Sequence, residues 1–593
     1  MTKSQISNLK SQIAKSIHLI LAVCHVLLVM CHWSFARAQD PPPDVRFGAV
    51  EAFRDPVAAA DADVGWDRIL FYWSELQPSG PDDWNGYHVP GDWLDLAAGA
   101  RREVVGLLKH TPAWATDGPG GCGVPRGLNL PVDDPGNLWA TFVRRVVGTY
   151  AGRINRWIIW NEPDIVPGIY GAEWCGSIEE YYQLLKVAYL AAYQANPDVT
   201  IHLAGMTTWH DKTYLRRFLA FAAQDSTGPE HGYYFDVVSL HIYFRPETIP
   251  GIFGETRAAL AAYGLQKSIW LNETNAPPNS DPQWPMAAAN YEVSLEEQSS
   301  FLLQSFALAL SQGAERIAVY KWLDNDLLPN FEPFGIIRPN FSHRPAYDAY
   351  RLVTTHYAGT ISAREDRHSL YTVVTLDRGG LTTRVLWART EADVTVSLPA
   401  LAAQARLVDQ TGAEQFIEPV DGQYTLTLPH ARCADKRGCI IGGTTYLLVE
   451  ESGGAPLPAG TVTPAPTEFP AETITPTLTE TATITTPLDT STPLSTTTPV
   501  PTPTYTPTPT LSPTPVPSST PNPTSFPTPI PTPPPTHTPA PSLSPTPISS
   551  PTPTPWPSVP ATPGPPVLPV LVGLGTVTLL ATLAGTLFKR QGR

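Results

Sequence analysis

Between residue 40 and about residue 350 the chain alternates two patterns of apolar positions. Short runs rich in β-branched and aromatic residues fall at 47–51, 68–72, 104–109, 157–159, 200–204, 237–241, 269–271 and 316–320. Longer stretches at 137–150, 178–194 and 295–310 repeat their apolar residues with a helical period. In the first of these, Leu138, Phe142, Val146, Val147 and Tyr150 share one face. Gly264 and Gly313 stand where helices should stop, a few residues before the next strand. Eight strand-then-helix units over roughly 300 residues predict a closed parallel (β/α)8 barrel, a TIM barrel.

The pattern changes after residue 356. Alternating segments at 369–375, 382–387, 394–398, 423–428 and 444–449, with turns such as Arg378-Gly379-Gly380 between them, predict a small antiparallel β-sandwich. It is expected to pack against the barrel; carbohydrate binding is its alternative role. Beyond it, 66 of the 106 residues from Thr461 to Pro566 are Pro or Thr. Such a stretch lacks the apolar surface for a core and reads as a disordered linker.

Both ends read as targeting segments. Lys3, Lys10 and Lys15 precede an apolar run at 17–30 and an Ala36-Arg37-Ala38 cleavage site, the pattern of a secretory signal. The uncharged apolar stretch 567–588 is long enough for one transmembrane helix, and Lys589, Arg590 and Arg593 behind it place the C-terminus inside the cell. The expected division is therefore signal peptide 1–38, barrel 39–356, sandwich 357–453, linker 454–566, transmembrane helix 567–588 and cytoplasmic tail 589–593. That makes an exported, cell-surface protein held in the membrane by its C-terminal helix.

The whole 593-residue chain carries 39 Lys+Arg against 54 Asp+Glu, a formal charge of −15. With no basic cluster, nucleic acid is excluded as a partner. Four cysteines remain after the signal: Cys122, Cys175, Cys433 and Cys439. In an exported chain they suggest two disulfides, with three possible connectivities. The close spacing of Cys433 and Cys439 favours a local loop, leaving Cys122 with Cys175. No C-x-x-C or H-E-x-x-H spacing supports zinc.

Two strand ends carry the chemistry. Trp157-Ile158-Ile159-Trp160-Asn161-Glu162-Pro163 is an apolar strand ending in a carboxylate, and Ile269-Trp270-Leu271-Asn272-Glu273 repeats the arrangement about three βα units later. Residues at the C-terminal ends of barrel strands line the mouth where barrel enzymes react. Two carboxylates facing each other there are what glycosidic cleavage needs, one to protonate the leaving oxygen and one to attack or to activate water.

On these motifs residues 45–450 resemble the clan A glycoside hydrolases, retaining (β/α)8 glycosidases, most like family 39 and, in the smaller site residues, equally like family 5. The resemblance implies Glu162 as acid/base and Glu273 as nucleophile. It further implies Asn161 as the amide contacting the sugar 2-hydroxyl, Arg68, His110, His241 and Tyr243 as supporting residues, and Trp322 as the aromatic floor under the sugar. Its chemistry calls for no cofactor and no metal. Asn272 departs from the pattern, since these families more often place a hydrophobic or small residue before the nucleophile.

The residues support the same division of labour. Ionised Glu273 disfavours ionisation of Glu162 and keeps it an acid, while Arg68 and Tyr243 hold Glu273 ionised. Blander roles exist: a barrel salt bridge for Arg68 and structural hydrogen bonding for His110 and His241; Trp73, Trp114, Trp174 and Trp209 also follow strands, and for each core or loop packing stands equal with sugar contact. The function expected is double-displacement hydrolysis of a β-linked oligo- or polysaccharide outside the cell. A transglycosidase using the same residues and a non-catalytic carbohydrate-binding barrel are the alternatives.

Overall fold

The computed structural model describes residues 41–168, 171–286, 291–324, 333–433 and 440–451. The signal, linker and transmembrane segments expected from the sequence lie outside these residues, as does Cys439. No helix among the described residues is long and apolar enough to cross a membrane.

Eight parallel strands close into a barrel in sequence order: β1 (Phe47–Val50), β2 (Trp66–Tyr72), β3 (Glu103–Lys109), β4 (Arg156–Asn161), β5 (Thr200–Gly205), β6 (Val237–Tyr243), β7 (Ser268–Asn275) and β8 (Arg316–Val319). Closure comes from β1 against β8, with Phe47 opposite Ile317 and Gly48 opposite Ala318. Local chemistry starts the intervening helices. Ser177 with Glu180 and Ser294 with Glu297 form reciprocal caps at the heads of Ile178–Ala195 and Leu295–Ser311, and the Asn137 side chain caps Leu138–Thr149.

The barrel interior is filled. Val50, Trp66, Val105, Leu107, Ile158, Val237, Trp270 and Ala318 form one buried cluster inside it. Gly48 makes room for the Trp66 indole, since a Cβ there would lie 2.2 Å from the ring. At the N-terminal ends of the strands, Glu103 takes Arg156 at 2.8 Å and Arg316 at 2.7 Å, and the Arg316 guanidinium lies 4.5 Å from the Trp270 ring. That end is sealed by charge over an aromatic ring, which leaves the C-terminal end as the open one.

Among its described residues the second region contains eight strands: β9 (Ser362–Arg367), β10 (Tyr371–Asp377), β11 (Thr382–Ala388), β12 (Val394–Pro399), β13 (Ala405–Asp409), β14 (Glu414–Ile417), β15 (Gln423–Leu428) and β16 (Tyr446–Glu450). Six form one antiparallel sheet in the order β14-β13-β16-β11-β10-β9, and β12 pairs with β15. One face of the large sheet, including Val374, Val385, Trp387, Leu447 and Val449, joins the barrel's hydrophobic core. The other face packs under β12 and β15 through Val396, Leu398, Leu407, Leu426 and Leu448.

The junction is polar as well as apolar. Ser300 donates to Gln410 at 2.6 Å, and Gln304 donates to Gly443 O at 3.1 Å and Thr445 Oγ1 at 3.0 Å. Glu247, just past β6, pairs with Arg367 and Arg389. Helix Leu295–Ser311 is therefore buried from Gln298 to Leu310, and its polar Ser300 and Gln304 face the sheet instead of water.

Candidate active site

The open end of the barrel gathers three of the sequence-derived residues, Arg68, His241 and Tyr243, around two carboxylates. Glu162 follows β4 directly, its backbone N–H donating to Gly205 O at 3.0 Å. Its φ of 42° lies in the left-handed region, as does that of Trp160 at 75°. Such backbone is uncommon for non-glycine residues and marks a segment held by its surroundings. Here the Trp160 indole is buried and donates to Glu173 O at 2.9 Å.

Glu273 lies within β7 and is buried. Register shifts interrupt β7 on both sides, between Leu240 and His241 of β6 and between Leu271 and Thr274 on the β8 side. A bulge of this kind re-aims the side chains that follow it. This accounts for the unusual Asn272-Glu273 pair: Asn272 is fully buried with both amide atoms lacking a hydrogen-bond partner, while Glu273 meets the residues of the mouth.

Arg68, from β2, places Nη2 2.5 Å from Glu273 Oε1, and the Tyr243 hydroxyl, from β6, donates to Glu273 Oε2. His241, fully buried, bridges the two acids. Its Nδ1 is 2.7 Å from Glu162 Oε1 and 3.4 Å from Glu273 Oε2. Gly205 makes this possible, because a Cβ at that position would sit 1.9 Å from His241 Nε2.

An oxygen of Glu162, an oxygen of Glu273 and a nitrogen of His241 lie within 4.8 Å of one another. That trio has the donor types to hold a metal ion, but the Arg68 guanidinium already supplies the cation beside Glu273.

The environments separate the two acids. Burial raises the pKa of Glu162, the charge of Glu273 adds to the rise, and His241 only partly offsets it. Burial also pushes Glu273 upward, but the charges of Arg68 and His241 and the Tyr243 hydrogen bond together bring it below its ordinary value. His241 itself is raised, the two carboxylates outweighing its burial. The arrangement holds one carboxyl as an acid and the other as an anion.

The remaining sequence-derived residues divide. Asn161 ends β4 beside Glu162, nearly buried, with Oδ1 unpartnered. His110 directly follows β3 and makes its contacts away from both acids: its Nδ1 is 2.7 Å from Ser74 Oγ and its ring meets the edge of Tyr72. Trp322 is a correction. It is fully buried, donates to Asp55 O at 3.2 Å and packs against Tyr347 and Tyr350, so it offers no face to a sugar. β8 ends at Val319, and past it the Trp322 N–H donates to Val50 O of β1 at 3.0 Å, which keeps the indole in the core. Tyr320 takes the place beside the site, 6.0 Å ring to ring from Tyr243. Sequence reasoning missed it, although it continues the alternation of Arg316 and Ala318 on β8. It also missed the Lys109–Glu173 pair at 2.5 Å, in which Lys109 is buried and Glu173 half-buried and whose carboxylate charge acts on Glu162.

The Cys122–Cys175 disulfide is present and links the segment after β3 to that after β4. His202 and His210 form no metal cluster with the site; His202 is buried inside the barrel against Trp270.

Comparison with solved structures places this architecture. It is similar to a family 39 glycoside hydrolase from the gut symbiont Bacteroides cellulosilyticus WH2, with 16% identity and a TM-score of 0.52 over 69% of this chain and 81% of that one. The likeness is one of fold, a closed barrel of eight parallel strands followed by antiparallel sheets. A monomeric β-xylosidase from Caulobacter crescentus CB15 is more distant, with 14% identity and a TM-score of 0.46 over 70% of this chain and 97% of that one. No family model and no curated protein matches the chain.

Proposed function

We propose that the protein is a retaining glycoside hydrolase that cleaves a β-linked glycan by double displacement. The observation that carries this reading is the pair Glu162 and Glu273, with oxygens within 4.8 Å and pKa values displaced in opposite directions. Retaining enzymes hold their carboxyl groups about 5–5.5 Å apart, whereas inverting ones leave about 6.5–9.5 Å for a water.

In the first step Glu162 gives its proton to the leaving oxygen while Glu273 Oε attacks the anomeric carbon, forming a glycosyl ester and releasing the aglycone. The negative charge of Glu273 is then gone, and Glu162, now ionised, has lost the neighbour that opposed its ionisation. Glu162 takes a proton from water, the water oxygen bonds to the anomeric carbon, and Glu273 leaves as carboxylate. Arg68 and Tyr243 stabilise Glu273 as the charge returns. Asn161, with its unpartnered oxygen, is positioned to accept from a sugar hydroxyl.

The signal, linker and C-terminal apolar segments support placing this activity at the outer cell surface on a membrane tether. The test of the activity is release of reducing sugar from β-glucan, cellulose, xylan, mannan and galactan, alongside Glu273→Ala. Release by the parent that collapses in the variant supports the assignment; release that survives the substitution refutes it.

A further inference from the structure

The two loops that flank Glu162 are fastened together at one buried residue. Asp164 is fully buried two positions after Glu162. Its carboxylate accepts from Thr207 N at 3.1 Å, Thr207 Oγ1 at 2.6 Å and Thr208 N at 2.8 Å. The segment after β5 is thereby clipped to the segment after β4. Thr208 is held at φ 58°, a conformation that a β-branched residue adopts only under outside constraint.

The residue presented by this clip is Trp209. It is 66% exposed, and among the described residues no other tryptophan is exposed. Its ring rests on the neighbouring His210, centroids 3.6 Å apart. On the other clipped loop, Val166 is 50% exposed. An indole and an aliphatic side chain are thus held in water at the open end of the barrel, just beyond the residue proposed to protonate the leaving oxygen.

The direction of the reaction says what belongs there. Glu273 attacks from one side of the anomeric carbon and Glu162 protonates the oxygen on the other, so the departing sugar lies on the Glu162 side. Pyranose rings carry an apolar face of C–H groups that packs on an aromatic ring, and a rigid aromatic supplies that contact with little ordering cost. Resting on the glycosidase reading above, we propose that Trp209 is the stacking platform for the leaving-group sugar, with Val166 as its apolar neighbour. Binding of a non-reacting ring at this position would be used to hold the scissile bond against Glu162.

The test compares substrates that differ only in the leaving group. β-D-Glycosyl fluorides of glucose, xylose, galactose and mannose lack a leaving sugar; the corresponding β-linked disaccharides have one. For the sugar that the parent accepts, the ratio of kcat/KM on disaccharide to kcat/KM on fluoride should fall about tenfold in Trp209→Ala and recover most of that in Trp209→Phe. An unchanged ratio in Trp209→Ala, with the parent active, overturns the platform and leaves the glycosidase reading standing. An equal loss on both substrates marks a structural role and also overturns it. A folded parent inactive on all eight compounds overturns the glycosidase reading and the platform with it.

Discussion

His241 Nδ1 stands 2.7 Å from Glu162 and 3.4 Å from Glu273, so a single nitrogen is shared between the proposed acid and the proposed nucleophile. Its charge lowers the pKa of both. Activity requires Glu273 ionised and Glu162 protonated, so the acid limb of the kcat/KM profile follows Glu273 and the basic limb follows Glu162. Removing the imidazole in His241→Gln raises both pKa values. Both limbs should move to higher pH, and the maximum with them. A profile that keeps its limbs, or moves them down, would show that His241 does not carry charge between the acids.

The roles of the two glutamates are separable by rescue. Glu162→Ala and Glu273→Ala should each lose at least about 10³-fold in kcat on a substrate with a sugar leaving group. With a good leaving group and added azide, Glu162→Ala should yield the β-glycosyl azide, because the ester still forms on Glu273. Glu273→Ala should yield the α-azide by direct displacement. The anomeric proton in the NMR spectrum of the product decides, and exchanged outcomes would reverse the assignment.

Gly205 is a sensitive position because of what it faces. A methyl group there would lie 1.9 Å from His241 Nε2. Gly205→Ala should move the imidazole off the carboxylates and shift the pH profile as His241→Gln does, at a stability cost of about 1–3 kcal/mol for overpacking. Thermal melting and the pH profile of one sample check both parts.

The Cys122–Cys175 bridge closes a separation of 53 residues across the loops after β3 and β4. Replacing both cysteines with serine should lower stability by about 2–4 kcal/mol, the usual effect of opening a loop of this size. Urea unfolding of the parent and the double variant measures it.

Much of the barrel was legible in the sequence because each strand is a short apolar run bounded by turns, and the observed strands fall within a few residues of those runs. Glu162 and Glu273 were legible because each ends such a run. β9 was not, since Ser-Ala-Arg-Glu-Asp-Arg has no apolar alternation and exists as an edge strand through its pairing with β10. β13 and β14 were missed as well, being short and, in β14, exposed. Trp322 was misplaced because the resemblance carried a sugar-floor role onto the aromatic that follows the last strand, whereas here that indole is buried against Tyr347 and Tyr350. The Asp164 clip and the Gly205–His241 fit depend on distances between separate strands, which periodicity does not encode.

Helix Leu295–Ser311 belongs to two domains at once: it closes the βα unit before β8 and forms the surface on which the six-stranded sheet is laid. The boundary near residue 357 therefore separates sequence patterns and not folding units. A fragment ending at His356 would strip the sheet from the helix face that carries Ser300 and Gln304, whereas the intact pair should melt in one cooperative transition. Swapping in another sandwich would require redesigning this helix, so the two regions are constrained to evolve together.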